Sequence, residues 1–268
     1  MLRKYSKTRT LSDNIKLGVI TAFSGGMVNV AAFMIFLSFS SNVTGYYAIF
    51  ATELVRGNFY QVLVVIGWIM LFLLGGFVSN LIVIHFNKNN KHLAHATPIV
   101  LEIICLLVIG IYGQFFYKET LAETEVLLSL MLFAMGLQNG LTASISNFAV
   151  KTTHLTGATT DLGILLSMLT KKELRENQET KDRARLILSI IVSYMTGAII
   201  AGLIYKSVQF SLFYIVSLFL VVIIVYDFFA IQFLRFIIQF KKKKSDRKYF
   251  SYPAPAPKKK LLLEVNDD

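Results

Sequence analysis

Residues 40–50 read SSNVTGYYAIF, and residues 152–163 read TTHLTGATTDLG. The Thr-Gly pairs Thr44-Gly45 and Thr156-Gly157 each follow a long apolar run and open a shorter, more polar one. Further on, each half carries adjacent small residues inside an apolar helix, FLLGG at Phe72–Gly76 and YMTGA at Tyr194–Ala198. One more apolar span closes each half. The Thr-Gly landmarks lie 112 positions apart and the small-residue landmarks 122, the difference falling in the charged loop Lys171–Arg185. Two landmarks in the same order predict an internal duplication.

The composition around these landmarks belongs to a membrane protein. Of 268 residues, 55% are hydrophobic and only 16% charged, with a mean hydropathy of +0.60. Soluble domains carry about 25% charge, so a water-soluble enzyme is excluded. A spanning helix needs about 20 mostly apolar residues. Six stretches qualify: Leu17–Leu37, Gln61–Ile84, Pro98–Phe116, Val126–Ser146, Leu186–Tyr205 and Phe210–Phe233. None alternates as a barrel strand would, and helices are the other structure that satisfies its backbone in lipid. The first stretch follows basic residues like a signal peptide, but it is too long and lacks a cleavage site, so it reads as an uncleaved span.

Two short segments remain, Asn42–Val55 and His154–Thr170. They either cross, giving eight helices, or enter and return, giving six spans plus two discontinuous segments. Lysine and arginine placement favours the second. It puts the basic N-terminus (Arg3, Lys4, Lys7, Arg9), Phe86–Ala96 with Lys88 and Lys91, Lys171–Arg185 and the tail together in the cytoplasm, and the acidic loop Lys118–Glu125 outside. The expected fold is therefore an all-α polytopic transmembrane bundle. Three spans per half is an odd number, so the duplicated halves would be inverted, as in many secondary transporters.

This architecture has a consequence at the Thr-Gly pairs. Residues Ser40–Thr44, extended, reach about 16 Å inward, and a helix from Gly45 to Val55 climbs back about 16 Å. Thr44-Gly45 and Thr156-Gly157 then meet near the midplane, each at a helix N-terminus with unpaired N–H groups and partial positive charge. Such termini suit an anion or a carboxylate.

The expected domain organisation is a basic cytoplasmic arm (residues 1–16), a transmembrane domain (17–240, halves 17–117 and 126–233) and a basic, Pro-interrupted, disordered tail (241–268). The Lys241–Lys244 cluster would attract anionic lipids by about 1 kcal/mol per lysine, or act simply as a topology anchor.

Candidate substrate-binding residues are Thr44, Gly45, Gln138, Asn139, Thr156 and Gly157. Candidate coupling residues are His154 and Asp161, because ionisable groups inside a membrane are costly. Each has a plainer role. Gln138 and Asn139, like Asn29, suit interhelical hydrogen bonds. Asp161 suits a helix N-terminus, and His154 suits packing. Glu102, about one turn into its predicted span, is expected to snorkel to the surface. Asp227 lies near the cytoplasmic face, and Glu53 is expected to pair with Arg56. Cys105 is a lone apolar-run cysteine, so no intramolecular disulfide forms. No metalloprotease, serine-hydrolase, P-loop or C-x-x-C motif is present, and His92 and His95 are a weak metal pattern. The expectation is no enzyme, no metal, no cofactor and no nucleic-acid partner. The sequence leaves the oligomeric state open.

The stretch GLQNG (residues 136–140), then SISNFAVKTTHLTGATTDLG (144–163), with the earlier NVTG and the later small-residue pair, resembles the YoaK-like family of bacterial multi-pass membrane proteins. The resemblance covers most of Leu17–Ile231. It implies a bacterial inner-membrane location and adds no reaction. Family members often place Asn directly after the first Thr-Gly, where this chain has Tyr46. The reading that fits best is a secondary transporter or permease for a small, anionic solute. The alternative is a non-transporting scaffold or lipid-interacting protein whose polar residues hold the bundle together, with a channel as a third reading.

Overall fold

A computed structural model describes residues 9–86, 91–227 and 229. The described residues form α1 (Leu11–Phe36), α2 (Val43–Arg56), α3 (Phe59–Phe86), α4 (Lys91–Phe115), α5 (Leu121–Ser146), α6 (Leu155–Met168), α7 (Lys172–Glu176), α8 (Gln178–Val208), a 3₁₀ turn (Gln209–Ser211) and α9 (residues 212–227). Five stretches are long and apolar enough to cross a membrane. The last of them, Gln178–Asp227, contains the turn at Gln209, whose φ of 43° reverses the chain. Among the described residues, six long apolar helices result, with the short α2 and α6 and the single-turn α7 between them. The tail 241–268, the loop lysine Lys88 and the end of the expected transmembrane domain lie outside the described residues.

The long helices begin earlier than hydropathy predicts, because polar caps set their ends. Thr10 and Asp13 form a capping box that starts α1 at Leu11 rather than Leu17. Thr120 and Glu123 do the same for α5, which starts at Leu121 rather than Val126. The charged stretch Lys171–Arg185 holds α7 and the first turns of α8. Asn177 ends α7 and accepts from the N–H groups of Glu179 and Thr180 to start α8. In α4 the helix begins seven residues before Pro98, which therefore lies inside it.

Helix directions follow from contacts. Along α1, Gly18 meets Ile190, Gly26 meets Tyr194, and the Met34 carbonyl accepts from Tyr205, so α1 and α8 are parallel. Along α3, Tyr60 donates to Glu125, Gly75 meets Phe133, and Asn80 accepts from Ser144, so α3 and α5 are parallel. Phe36 packs on Tyr117, before α5, and Gly18 faces Val150, after α5, so α1 and α5 are antiparallel. Phe210, in the turn just before α9, meets Phe36, and Phe219 on α9 meets Phe23, so this helix returns antiparallel to α1.

The short helices therefore do not cross. Phe36, which ends α1, and Tyr60, which opens α3, both sit at the end where α5 begins. The chain between them, with α2, leaves that end and returns to it. By the same logic α6 leaves and returns at the opposite end, where Asp161 meets Arg183 at the start of α8.

The duplication extends to backbone contacts. Gly26 and Gly136 are 110 positions apart, and a Cβ on either would strike backbone, of Tyr194 and Phe72 respectively. Gly197 and Gly75 present the reciprocal faces, against the Phe23 and Phe133 carbonyls. Small residues let helices approach closely where lipid supplies no hydrophobic drive for association. The core lies between these pairs, with Leu17, Leu106, Met131, Leu141 and Phe213 fully buried.

Candidate functional site

The turn into each short helix is held by one asparagine. In the first half, Asn29 Oδ1 accepts from the hydroxyls of Ser40 and Ser41, both at 3.2 Å. In the second, Asn139 Oδ1 accepts from Thr152 at 3.3 Å and Thr153 at 3.0 Å. Asn29 and Asn139 occupy the same place in helices of equal length, 26 residues each. Each stands seven residues before the end of its helix, about 10 Å inside it. The chain thus turns back below the helix end before the short helix starts. Left-handed residues, Leu37 (φ 53°) and Asn147 (φ 55°), begin both reversals.

The two reversals open on one cavity of about 630 Å³. Its walls include Asn42, Val43 and Thr44 from the first segment and Thr153, His154, Leu155, Thr156 and Gly157 from the second. Asn29, Phe72 and Tyr194 line it from the long helices. The Tyr194 hydroxyl accepts from Asn29 Nδ2 at 2.6 Å.

The two helix starts differ chemically. Asn42 caps α2, accepting from the Gly45 N–H at 3.2 Å. A Cβ at position 45 would crowd that cap, so Gly45 serves its own helix start. The Tyr46 side chain, where family members often place Asn, does not line the cavity: it is buried against Trp68, its hydroxyl donating to the Phe39 carbonyl. At α6 the capping position is His154, and no side chain caps the helix. A Cβ at Gly157 would meet nothing within 4 Å. The open backbone of the α6 start therefore faces space, not an opposing helix.

His154 and Gly157 also line a second cavity, of about 810 Å³, at the α1-start end. Arg9, Lys151, Asp161, Glu179, Asp182 and Arg183 surround it. Burial pulls the Arg9 guanidinium below its ordinary value, opposed by the charges of Asp13 and Asp227. Asp161 pairs with Arg183 at 3.1 Å, both side chains largely solvent-facing. The start of α6 is thus the partition between the two spaces.

The structure brings Thr44, Thr156, Gly157 and His154 to the shared cavity, and places Asp161 in the second one. Asn139 sits behind the wall as the brace of the turn. Gln138 lies deeper: its Nε2 donates to Ser24 Oγ at 2.9 Å and to Glu102 Oε1 at 2.8 Å. Glu102 does not snorkel. It is 0% exposed, because α4 starts at Lys91 and puts residue 102 near mid-helix, not one turn from an end. Asp227 is buried as well. Glu53 pairs with Arg56 at 2.9 Å, as expected. Tyr194 was missed by sequence reasoning. Its signal was a phenol in the small-residue motif where the first half has Phe72.

Among the described residues no group of three or more His, Cys, Asp or Glu side chains is placed to hold a metal ion. A family model described as protein of unknown function (DUF1275) matches residues 17–226. No curated protein and no solved structure matches the chain significantly.

Proposed function

We propose that this chain, which belongs to the DUF1275 family of proteins of unknown function, is a secondary transporter for a small anionic solute. It is an integral membrane protein, and the transport reading goes beyond that. The observation that carries it is the cavity shared by the starts of α2 and α6. Irregular backbone at membrane depth is tolerated where it lines a protein cavity, and paired discontinuous helices are how transporters build such sites. The uncapped α6 start offers N–H groups and the positive end of a helix dipole to an anion. Tyr194, Thr44 and Thr156 add hydroxyls. The second cavity, across the α6 start, carries Arg9, Lys151 and Arg183 alongside Asp161, Glu179 and Asp182.

In the same reading the protein sits in a bacterial inner membrane, as a YoaK-like protein would, with its α1-start end cytoplasmic. The basic residues Arg9, Lys16, Lys151, Lys171, Lys172 and Arg175 gather at that end. The Lys241–Lys244 cluster would attract anionic lipid.

The test is a thermal-shift screen of inorganic anions and small carboxylates on purified protein. A ligand that binds only the folded state raises its stability by mass action. We expect at least one anion to raise the melting temperature of wild type and to lose that effect in Gly157→Val, which fills the space above the α6 start. If no anion shifts wild type, the anion site fails and the scaffold reading gains.

A further inference from the structure

Three oxygen-bearing side chains meet at mid-bundle on α1, α4 and α5. Gln138 Nε2 bridges Ser24 and Glu102, while Gln138 Oε1 and Glu102 Oε2 have no hydrogen-bond partner. All three residues are at most 2% exposed. A carboxylate buried without a cation is expensive, and the ordinary resolution of that cost is a proton. The titratable residues on α4 and on the elements packed about the cluster are Lys91, His92, His95, Cys105 and Tyr112 on α4, Glu123 and Glu125 on α5, Tyr60 and His85 on α3, Asp13 and Lys16 on α1, and Tyr214, Tyr226 and Asp227 on the last helix. Among the described residues, Gln138 hydrogen-bonds Glu102.

We propose that Glu102 is a proton-binding site of the bundle interior, with Gln138 as its positioning residue. The charged carboxylate accepts from Gln138 Nε2, the arrangement the structure holds. The neutral acid needs an acceptor for its O–H. A half-turn of the same amide supplies one, because oxygen and nitrogen exchange places without changing the volume filled. Protonation then puts the hydrogen on the Glu102 oxygen facing Gln138, and deprotonation returns it to cavity water. The route is short. A Cβ at Gly25 would lie 3.1 Å from Gln138 Oε1 and 3.3 Å from the Thr153 methyl, and Thr153 lines the shared cavity. Gly25, with no Cβ, lets the amide and the cavity-wall residue Thr153 come within about a methyl's width of each other. That this proton is coupled to solute passage rests on the transport reading; the site itself does not.

Infrared titration of the full chain in lipid tests the site without a solute. Wild type should show the carbonyl stretch of a buried, protonated carboxylic acid at neutral pH. Glu102→Gln should lose that band. If Glu102→Gln fails to accumulate, Glu102→Asp keeps the acid and should shift the band. Wild type lacking the band overturns the site, as does a Glu102→Gln or Glu102→Asp protein that keeps it unmoved. The transport reading fails separately. A Glu102-dependent band in a protein that moves no solute leaves the proton site standing, whereas proton-driven flux undiminished in Glu102→Gln removes its coupling to transport and keeps both the site and the transport reading.

Discussion

Asn29 and Asn139 act alike in the two halves of the molecule, while Asn42 and His154 do not. Each of the first pair braces a chain reversal by accepting from two successive hydroxyls. Each of the second pair stands where a short helix begins, and only Asn42 caps it. The fold demands the brace twice, because both reversals would otherwise leave polar groups unmatched inside the bundle. It does not demand the cap twice. The half that leaves its helix start open is the one that borders both cavities. Where duplicated halves agree, the residues hold architecture; where they diverge, chemistry has room.

The strongest way to break the agreement is at the helix crossings. Gly75→Leu and Gly197→Leu each drive a side chain into partner backbone. Overpacking costs about 1–3 kcal/mol even where side chains can yield, and backbone yields less. Both variants should fail to accumulate as monodisperse protein on size-exclusion chromatography, whereas Gly157→Leu, which faces open space, should behave as wild type. Unequal outcomes at positions 75 and 197 would mean the crossings are not equivalent.

Next come the braces. Asn139→Ala leaves two hydroxyls without their acceptor, at a cost of about 1–3 kcal/mol. Asn29→Ala should cost more, because it also strands the Tyr194 hydroxyl. Thermal unfolding in detergent should rank wild type above Asn139→Ala above Asn29→Ala. A reversed order would show that the Tyr194 contact adds nothing.

The divergence is probed with a smaller, opposite effect. His154→Asn gives α6 the cap that α2 has, and should stabilise by about 1 kcal/mol. The same change should weaken any anion-induced thermal shift, because the amide oxygen occupies N–H groups a ligand would use. Stabilisation with an undiminished anion response would show that the ligand does not use the helix start.

The smallest effect is expected at Asp161. Its pair with Arg183 is exposed, and such pairs are worth about 0–1 kcal/mol. Asp161→Asn should leave the unfolding temperature within a degree or so of wild type. If Asp161 couples transport, the variant should still lose pH-dependent flux. A pH profile unchanged in this well-folded variant would remove Asp161 from that role.

The legible part of the fold was the part carried by local chemistry. Hydropathy located six long helices, and the Thr-Gly landmarks located two short ones. The starts of the long helices were missed because apolar runs report the stretch in lipid, while Thr10-Asp13, Thr120-Glu123 and Asn177 set ends in water. The capping boxes were themselves a readable repeat, TLSD at residues 10–13 and TLAE at 120–123. Glu102 follows the same rule: hydropathy starts a span at Pro98, one turn before it, whereas α4 runs through Pro98 from Lys91.

By itself the sequence determined that this is a polytopic helical membrane protein built from two related halves, because burying backbone in lipid leaves a helix few alternatives. It also located the two short helices to within one or two residues, with α2 starting at Val43 rather than Gly45 and α6 at Leu155 rather than Thr156. Only the tertiary structure decided which of them share a wall. Thr44 and Thr156 reach one cavity because α1 packs along α8 as α5 packs along α3, and those pairings depend on glycines brought face to face from distant parts of the chain. The burial of Glu102 against Gln138 has the same origin: a residue's depth belongs to its helix, but its neighbours belong to the packing.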